Sequence, residues 1–175
     1  MRDLDADERA RFPALAAVRK ERDAVHLRTI AAEFDAANEV MTAREVDLLA
    51  LRIESLDILT HGHFAATTRD GQDDAAGLLY AVYRYIDFRL GALHDRLDED
   101  DVLIVMSDHG IRTSMEHSPL AFFVADGAGI AHGRSLGEPA IAGVSRSLAE
   151  LVGVSTDWPD TGVGPWTRTA GSAIR

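Results

Sequence analysis

The sequence predicts an α/β fold built on a mostly parallel sheet flanked by helices. Three observations carry that expectation. Two short apolar runs, residues 46–53 (VDLLALRI) and Val102–Met106, read as buried strands. Between them lies a long helical segment in which Leu79, Val82, Ile86, Leu90, Leu93 and Leu97 recur at steps of three and four, making one apolar stripe. Strand, helix, strand is a crossover unit, which places its two strands parallel through a right-handed connection. Both runs are mainly apolar rather than alternating, as in a sheet covered on both faces.

The remaining elements follow in chain order. Residues 1–12 are polar and acidic and are expected to form a disordered leader. From Pro13, the apolar residues Leu15, Val18, Val25, Ile30 and Phe34 among charged neighbours predict a helix to about residue 37. The first strand is followed by a polar stretch, residues 54–71, that carries Asp57, His61, Gly62 and His63. Asp73 and Asp74 offer an N-cap and first-turn charge for the long helix. Asp98-Glu99-Asp100-Asp101 turns the chain into Val102–Met106, which runs directly into Ser107-Asp108-His109-Gly110. A polar loop leads to His117, and residues 121–125 (AFFVA) read as a third strand. Gly127, Gly129 and Gly133 mark turns. Residues 140–151 form a last amphipathic helix, and residues 154–175, with Pro159 and Pro165, an irregular tail. The folded domain is thus expected over residues 13–153.

Composition narrows the function. The 175 residues fit one domain with a real core. No apolar run approaches the length of a membrane span, and the acidic N-terminus lacks the apolar stretch of a signal peptide. The chain is therefore expected to be cytoplasmic. There is no cysteine, so thiolate chemistry and disulfides are excluded. Any metal must be held by His, Asp and Glu. The net charge of −11 argues against a surface that follows nucleic-acid backbone. It leaves room for a phosphate substrate, because bound divalent ions invert the local field. Over most of the surface the acidity serves solubility.

The candidate chemistry lies in two Asp/His pairs. Asp57 and His61 follow the first predicted strand, and Asp108 and His109 follow the second. Parallel strands would bring both pairs to the carboxyl edge of the sheet, where open α/β sheets bind ligands. Imidazole and carboxylate are zinc ligands, and three of them leave an open position for water or substrate. His117 is a third ligand candidate, since the loop from His109 can fold back over the same edge. Each pair alone also has a plain reading, because an acidic turn with glycine is common at strand ends. His63 is held as a residue supporting the ligands rather than as a ligand. His26, His94 and His132 are expected to be solvated, and Tyr80, Tyr83 and Tyr85 to pack.

The order of these residues is similar to a known family. An apolar strand over residues 46–53, then Glu54-Ser55-Leu56-Asp57-Ile58-Leu59-Thr60-His61, a helix with Tyr83-Arg84-Tyr85-Ile86-Asp87, the run Val102–Met106 with Ser107-Asp108-His109-Gly110, then His117 and residues 122–130 (FFVADGAGI) resemble the C-terminal part of type I phosphodiesterases and nucleotide pyrophosphatases of the alkaline phosphatase superfamily. The resemblance implies an alkaline-phosphatase-like fold and metal-dependent hydrolysis of phosphate esters. It implies two divalent metal ions, zinc, in the complete site, at least one of them held by this chain. Asp57, His61 and His117 would hold one metal, and Asp108 and His109 the other. The family's nucleophile, a Thr or Ser, and a further aspartate lie N-terminal to the segment matched here. Thr29 and Thr42 lack the expected context, so no catalytic nucleophile is assigned and the chain is expected to be the metal-binding part of a longer enzyme. Two alternatives accompany this. The chain is a non-catalytic fragment or a subunit that docks with a separate nucleophile-bearing chain or with itself, or it is a sulfatase or phosphomutase relative with the same ligands. The expected partner is a small phosphate-ester substrate, with no nucleic acid and no membrane.

Overall fold

The structure, a computed structural model, describes residues 2–67, 74–130, 133, 140–155 and 157–158. His132, Asp73 and most of the predicted tail lie outside the described residues. The chain divides into two compact units. One comprises Met1–Asp95 with Gly110–Pro119, the other Arg96–His109 with Leu120–Arg175.

The first unit is helical with one hairpin. Its elements are α1 (Ala6–Arg11), α2 (Pro13–Ala16), α3 (Glu21–Ala43), α4 (Glu54–Thr67), α5 (Asp74–His94), β2 (Gly110–Thr113) and β3 (Glu116–Ser118). The second unit holds β1 (Val102–Met106), β4 (Phe123–Gly127) and α6 (Ile141–Leu151). No helix among the described residues is long and apolar enough to cross a membrane.

The expected leader is in fact a helix. Asp5 accepts from the Glu8 backbone N–H while the Glu8 side chain accepts from the Asp5 N–H, a reciprocal cap that closes the first turn of α1. Pro13 then opens α2, where its missing N–H and fixed φ do no harm. The single helix expected over residues 13–37 is broken: α2 ends at Ala16, and α3 starts at Glu21 and runs on to Ala43. The reason lies in the pattern, since Leu15 and the buried stripe Leu27, Ile30, Ala31, Phe34 and Ala37 face the same core from separate helices.

That core is closed by α5, which contributes Leu78, Leu79, Val82, Tyr85, Ile86 and Leu93, and by Leu59 of α4. The predicted stripe is therefore the buried face, except that Leu90 is only partly buried and Leu97 lies beyond the helix end. Phe34, Ile30, Val82 and Tyr85 are fully excluded from solvent, and burial of each apolar side chain contributes about 1.5–3 kcal/mol. Tyr80 and Tyr83, expected to pack with Tyr85, point outward instead.

The parallel sheet is not seen. Residues 46–53 form no strand, and Val46 and Leu48 are 44% and 55% exposed. A strand needs its backbone N–H and C=O groups paired with a neighbour. None of the described strands pairs with this run, and only Leu51 and Ile53 pack, against the helical core. The described strands form two antiparallel pairs, β1 with β4 and β2 with β3. The crossover inferred from the sequence therefore does not form, although the fold does combine helices and sheet.

In the second unit β1 matches the predicted strand, and its register on β4 runs from Val102 opposite Gly127 to Met106 opposite Phe123. The third strand lies two residues further along than residues 121–125. Gly127 is required there. Its φ is +121°, and a Cβ would lie 2.2 Å from the carbonyl oxygen of Asp101, so only glycine lets the two backbones close. The last helix forms as expected, with Gly143, Val144, Ser147 and Leu151 on its buried side.

Candidate metal centre

Asp57 and His61 lie on α4, not in a loop beyond a strand. This is a correction with a simple cause. Residues four apart stand one above the other on a helix, so the Asp-x-x-x-His spacing is itself the device that joins the two side chains. His61 Nε2 is 3.4 Å from Asp57 Oδ1. No convergence of parallel strand ends is needed.

His117 arrives on the β2–β3 hairpin. In that hairpin Ile111 pairs with His117 and Thr113 with Glu116, with a register irregularity between Ile111 and Thr113. The hairpin packs on α4. It sets His117 Nε2 2.8 Å from His61 Nε2 and 3.9 Å from Asp57 Oδ1. The two imidazole rings are 4.9 Å apart at an interplanar angle of 47°.

These three atoms make a triangle with sides of 2.8, 3.4 and 3.9 Å. Bonds of about 2.0–2.2 Å in tetrahedral array separate neighbouring ligand atoms by roughly 3.3–3.6 Å. The observed sides bracket that range, so a small opening of the two imidazoles admits a cation. The donor set, two imidazole nitrogens and one carboxylate oxygen, suits zinc and other borderline divalent ions. Asp57 and His61 are half-buried and His117 is exposed, which leaves the cluster open to ligand exchange.

The hydrogen-bond pattern fixes more than position. His61 Nδ1 is 2.9 Å from the backbone carbonyl of Ser114. A carbonyl oxygen only accepts, so Nδ1 carries the proton and Nε2 offers its lone pair to the cluster.

Asp108 and His109 belong to the second unit and follow β1, as read from the sequence. His109 Nε2 is 3.5 Å from Asp108 Oδ1. Just before them, Ser107 donates its backbone N–H to the Phe122 carbonyl, and its hydroxyl accepts from the Phe122 N–H. These bonds anchor the exit of the strand.

His63 faces another way. It is two residues beyond His61, about 200° around the helix, and its Nε2 meets Asp23 Oδ2 of α3 at 3.1 Å, with both side chains nearly buried. It ties α4 to α3. His26, expected to be solvated, is half-buried with Nδ1 3.2 Å from the Ser55 hydroxyl. Thr29 and Thr42 each donate to the carbonyl four residues back in α3, to Val25 and Asn38. Sequence reasoning missed the α4 helix, the hairpin and the Ser114 carbonyl. The first was signalled by the four-residue Asp57–His61 spacing. The carbonyl had no signal, because any residue type supplies one.

A second polar cluster lies in the same unit, built around Glu8. Arg2 donates to both its carboxylate oxygens at 2.6 and 2.9 Å, and the Tyr85 hydroxyl and Arg89 each donate at 2.9 Å. Arg2 and Arg89 also bind Asp35. Burial works against the charge on Glu8, yet the hydrogen bonds from Arg2, the Asp5 N–H and Tyr85 outweigh it and hold the carboxyl at about 2. Burial, with Glu8 as hydrogen-bond acceptor, pushes Tyr85 up to about 12. This cluster joins α1, α3 and α5, and both of its carboxylates are paired with Arg2 and Arg89.

No curated protein and no solved structure matches the chain. The family model for type I phosphodiesterase / nucleotide pyrophosphatase matches residues 5–128, well over half of the chain, including every residue of both Asp/His groups and His117. By that match the chain belongs to the type I phosphodiesterase / nucleotide pyrophosphatase family.

Proposed function

We propose that this chain is a metal-dependent phosphoric ester hydrolase, or the metal-holding part of one, that acts on a small phosphodiester or pyrophosphate substrate. The observation that carries the reading is the Asp57–His61–His117 triangle, three metal-type donor atoms held within 3.9 Å of one another by a helix and a hairpin. Asp57, His61 and His117 would hold one divalent cation, zinc by donor type. Asp108 and His109 are ligands for a second. When bound, such ions supply Lewis acidity toward phosphoryl oxygens. The chain's own residues orient and present the ligands: α4 stacks Asp57 under His61, Ser114 fixes the His61 ring, and the hairpin carries His117.

Family membership supports the reaction class. Thr29 and Thr42 are both turned onto helix carbonyls, so neither is proposed as the attacking group, which is proposed to lie on another segment or chain. The chain would then work with a nucleophile-bearing segment or a second chain, in the cytoplasm. The sulfatase and phosphomutase alternatives share this ligand set and are separated by substrate assay.

Two measurements test the proposal. Zinc is titrated calorimetrically into chelator-treated protein, and hydrolysis of a p-nitrophenyl phosphodiester is followed with and without the metal. Tight binding of about one zinc, abolished by His61→Ala, is expected. A protein that binds no zinc, or binds it equally well after His61→Ala, refutes the ligand assignment.

A further inference from the structure

We propose that the backbone carbonyl of Ser114, at the turn of the β2–β3 hairpin, is a positioning group that selects the tautomer of His61. The consequence for cation binding rests on the ligand reading given above; the tautomer selection does not.

The argument starts from donor chemistry. The carbonyl lies 2.9 Å from His61 Nδ1, the ordinary length of an N–H···O bond, and it can only accept. In water a neutral histidine favours a proton on Nε2. The turn reverses that preference, so the nitrogen that faces Asp57 and His117 is the one with the free lone pair. Without the turn, His61 would present an N–H to any incoming cation.

The turn is itself braced, since the Met115 N–H donates to the Thr113 hydroxyl at 3.2 Å. Within the hairpin Thr113 shapes the turn, Ser114 orients His61, and β3 delivers His117.

The test replaces the Ser114–Met115 amide by an ester, installed as the α-hydroxy analogue of Met115. The ester carbonyl is a weaker acceptor, and the Met115 N–H is lost. Thr113→Val removes the partner of that N–H alone and serves as the control. Histidine tautomers are read from two-bond 15N–1H spectra of the metal-free protein at pH 8, and zinc affinity by calorimetry. Wild type and Thr113→Val are expected to show His61 as Nδ1–H. The ester variant is expected to populate Nε2–H on His61 and to lose about 10-fold in zinc affinity, the low end for disturbed partners of a metal-binding histidine. An Nε2–H tautomer on His61 in the wild type overturns the proposal, as does an ester variant unchanged in both tautomer and affinity. A wild type with His61 as Nδ1–H that shifts in the ester variant, but with no zinc binding in either, upholds the positioning and refutes the cation reading instead.

Discussion

Replacing Glu8 by Gln removes the hub of the ion network that joins α1, α3 and α5. Glu8 is only 4% exposed and takes hydrogen bonds from Arg2, Asp5, Tyr85 and Arg89. A carboxyl held at about 2 rather than 4.5 is stabilised as the anion by about 3 kcal/mol, at 1.36 kcal/mol per pH unit. Glutamine keeps the shape but puts an NH2 where Arg2 or the Asp5 N–H must donate, and leaves the partly exposed Arg2 and the nearly buried Arg89 with Asp35 as their one carboxylate partner. Breaking a buried charge pair by removing one member destabilises by about 3–5 kcal/mol, which agrees in size. At about 3 kcal/mol the melting temperature of a chain of this length should fall by about 6–12 °C. The pH dependence carries the sign. Glu8 has a folded-state value below its unfolded one, so its contribution is complete above pH 4.5 and is lost as the pH falls from 4.5 toward 2. Asp35, held below its usual range by Arg2 and Arg89 against the effect of burial, adds a smaller loss in the same direction. Urea unfolding followed by circular dichroism at pH 7 and pH 3 measures both. The wild type should lose stability between these pH values and Glu8→Gln should lose much less. A Glu8→Gln protein within 1 kcal/mol of wild type at pH 7 would refute the reasoning, because the network would then be no better than solvation.

The other expectations concern packing and backbone. Phe34→Ala empties a fully buried site against α5 and should destabilise by about 3–5 kcal/mol, read from the urea midpoint. Gly127→Ala forces a side chain into a positive φ with its Cβ on the Asp101 carbonyl, so protection of the β1 and β4 amides from hydrogen exchange should drop sharply while that of α3 and α5 is retained. His61→Ala should abolish tight zinc binding while keeping the far-ultraviolet spectrum of the helices, since His61 Nε2 faces the cluster rather than the core.

The legibility of this chain varied by the range of the signal. Local patterns were readable. The three- and four-residue steps of α5 and the apolar run of β1 state their own element types, and both formed where expected. The strand read over residues 46–53 failed because a strand is not a local object. Its backbone groups must find partners elsewhere, and here Val46 and Leu48 stay exposed. The N-terminal helix is legible from position rather than from composition: Asp5 and Glu8 are three residues apart, the spacing of a reciprocal helix cap. The hairpin that carries His117 has no strong turn dipeptide, only Ser114-Met115, and so passed as a loop.

The sequence by itself determined the chemistry available to this protein. Without cysteine, the metal-type donors are His, Asp and Glu, and the Asp57–His61 spacing and the Ser107-Asp108-His109-Gly110 run mark the candidate donors. What only the tertiary structure decided is which donors converge and in which protonation form. Convergence of His117 on His61 across 56 residues depends on a hairpin docking on a helix. The tautomer depends on a main-chain oxygen at Ser114 whose presence is independent of residue type. Side-chain identity is written in the sequence, but the direction of a backbone carbonyl exists only once the chain has folded.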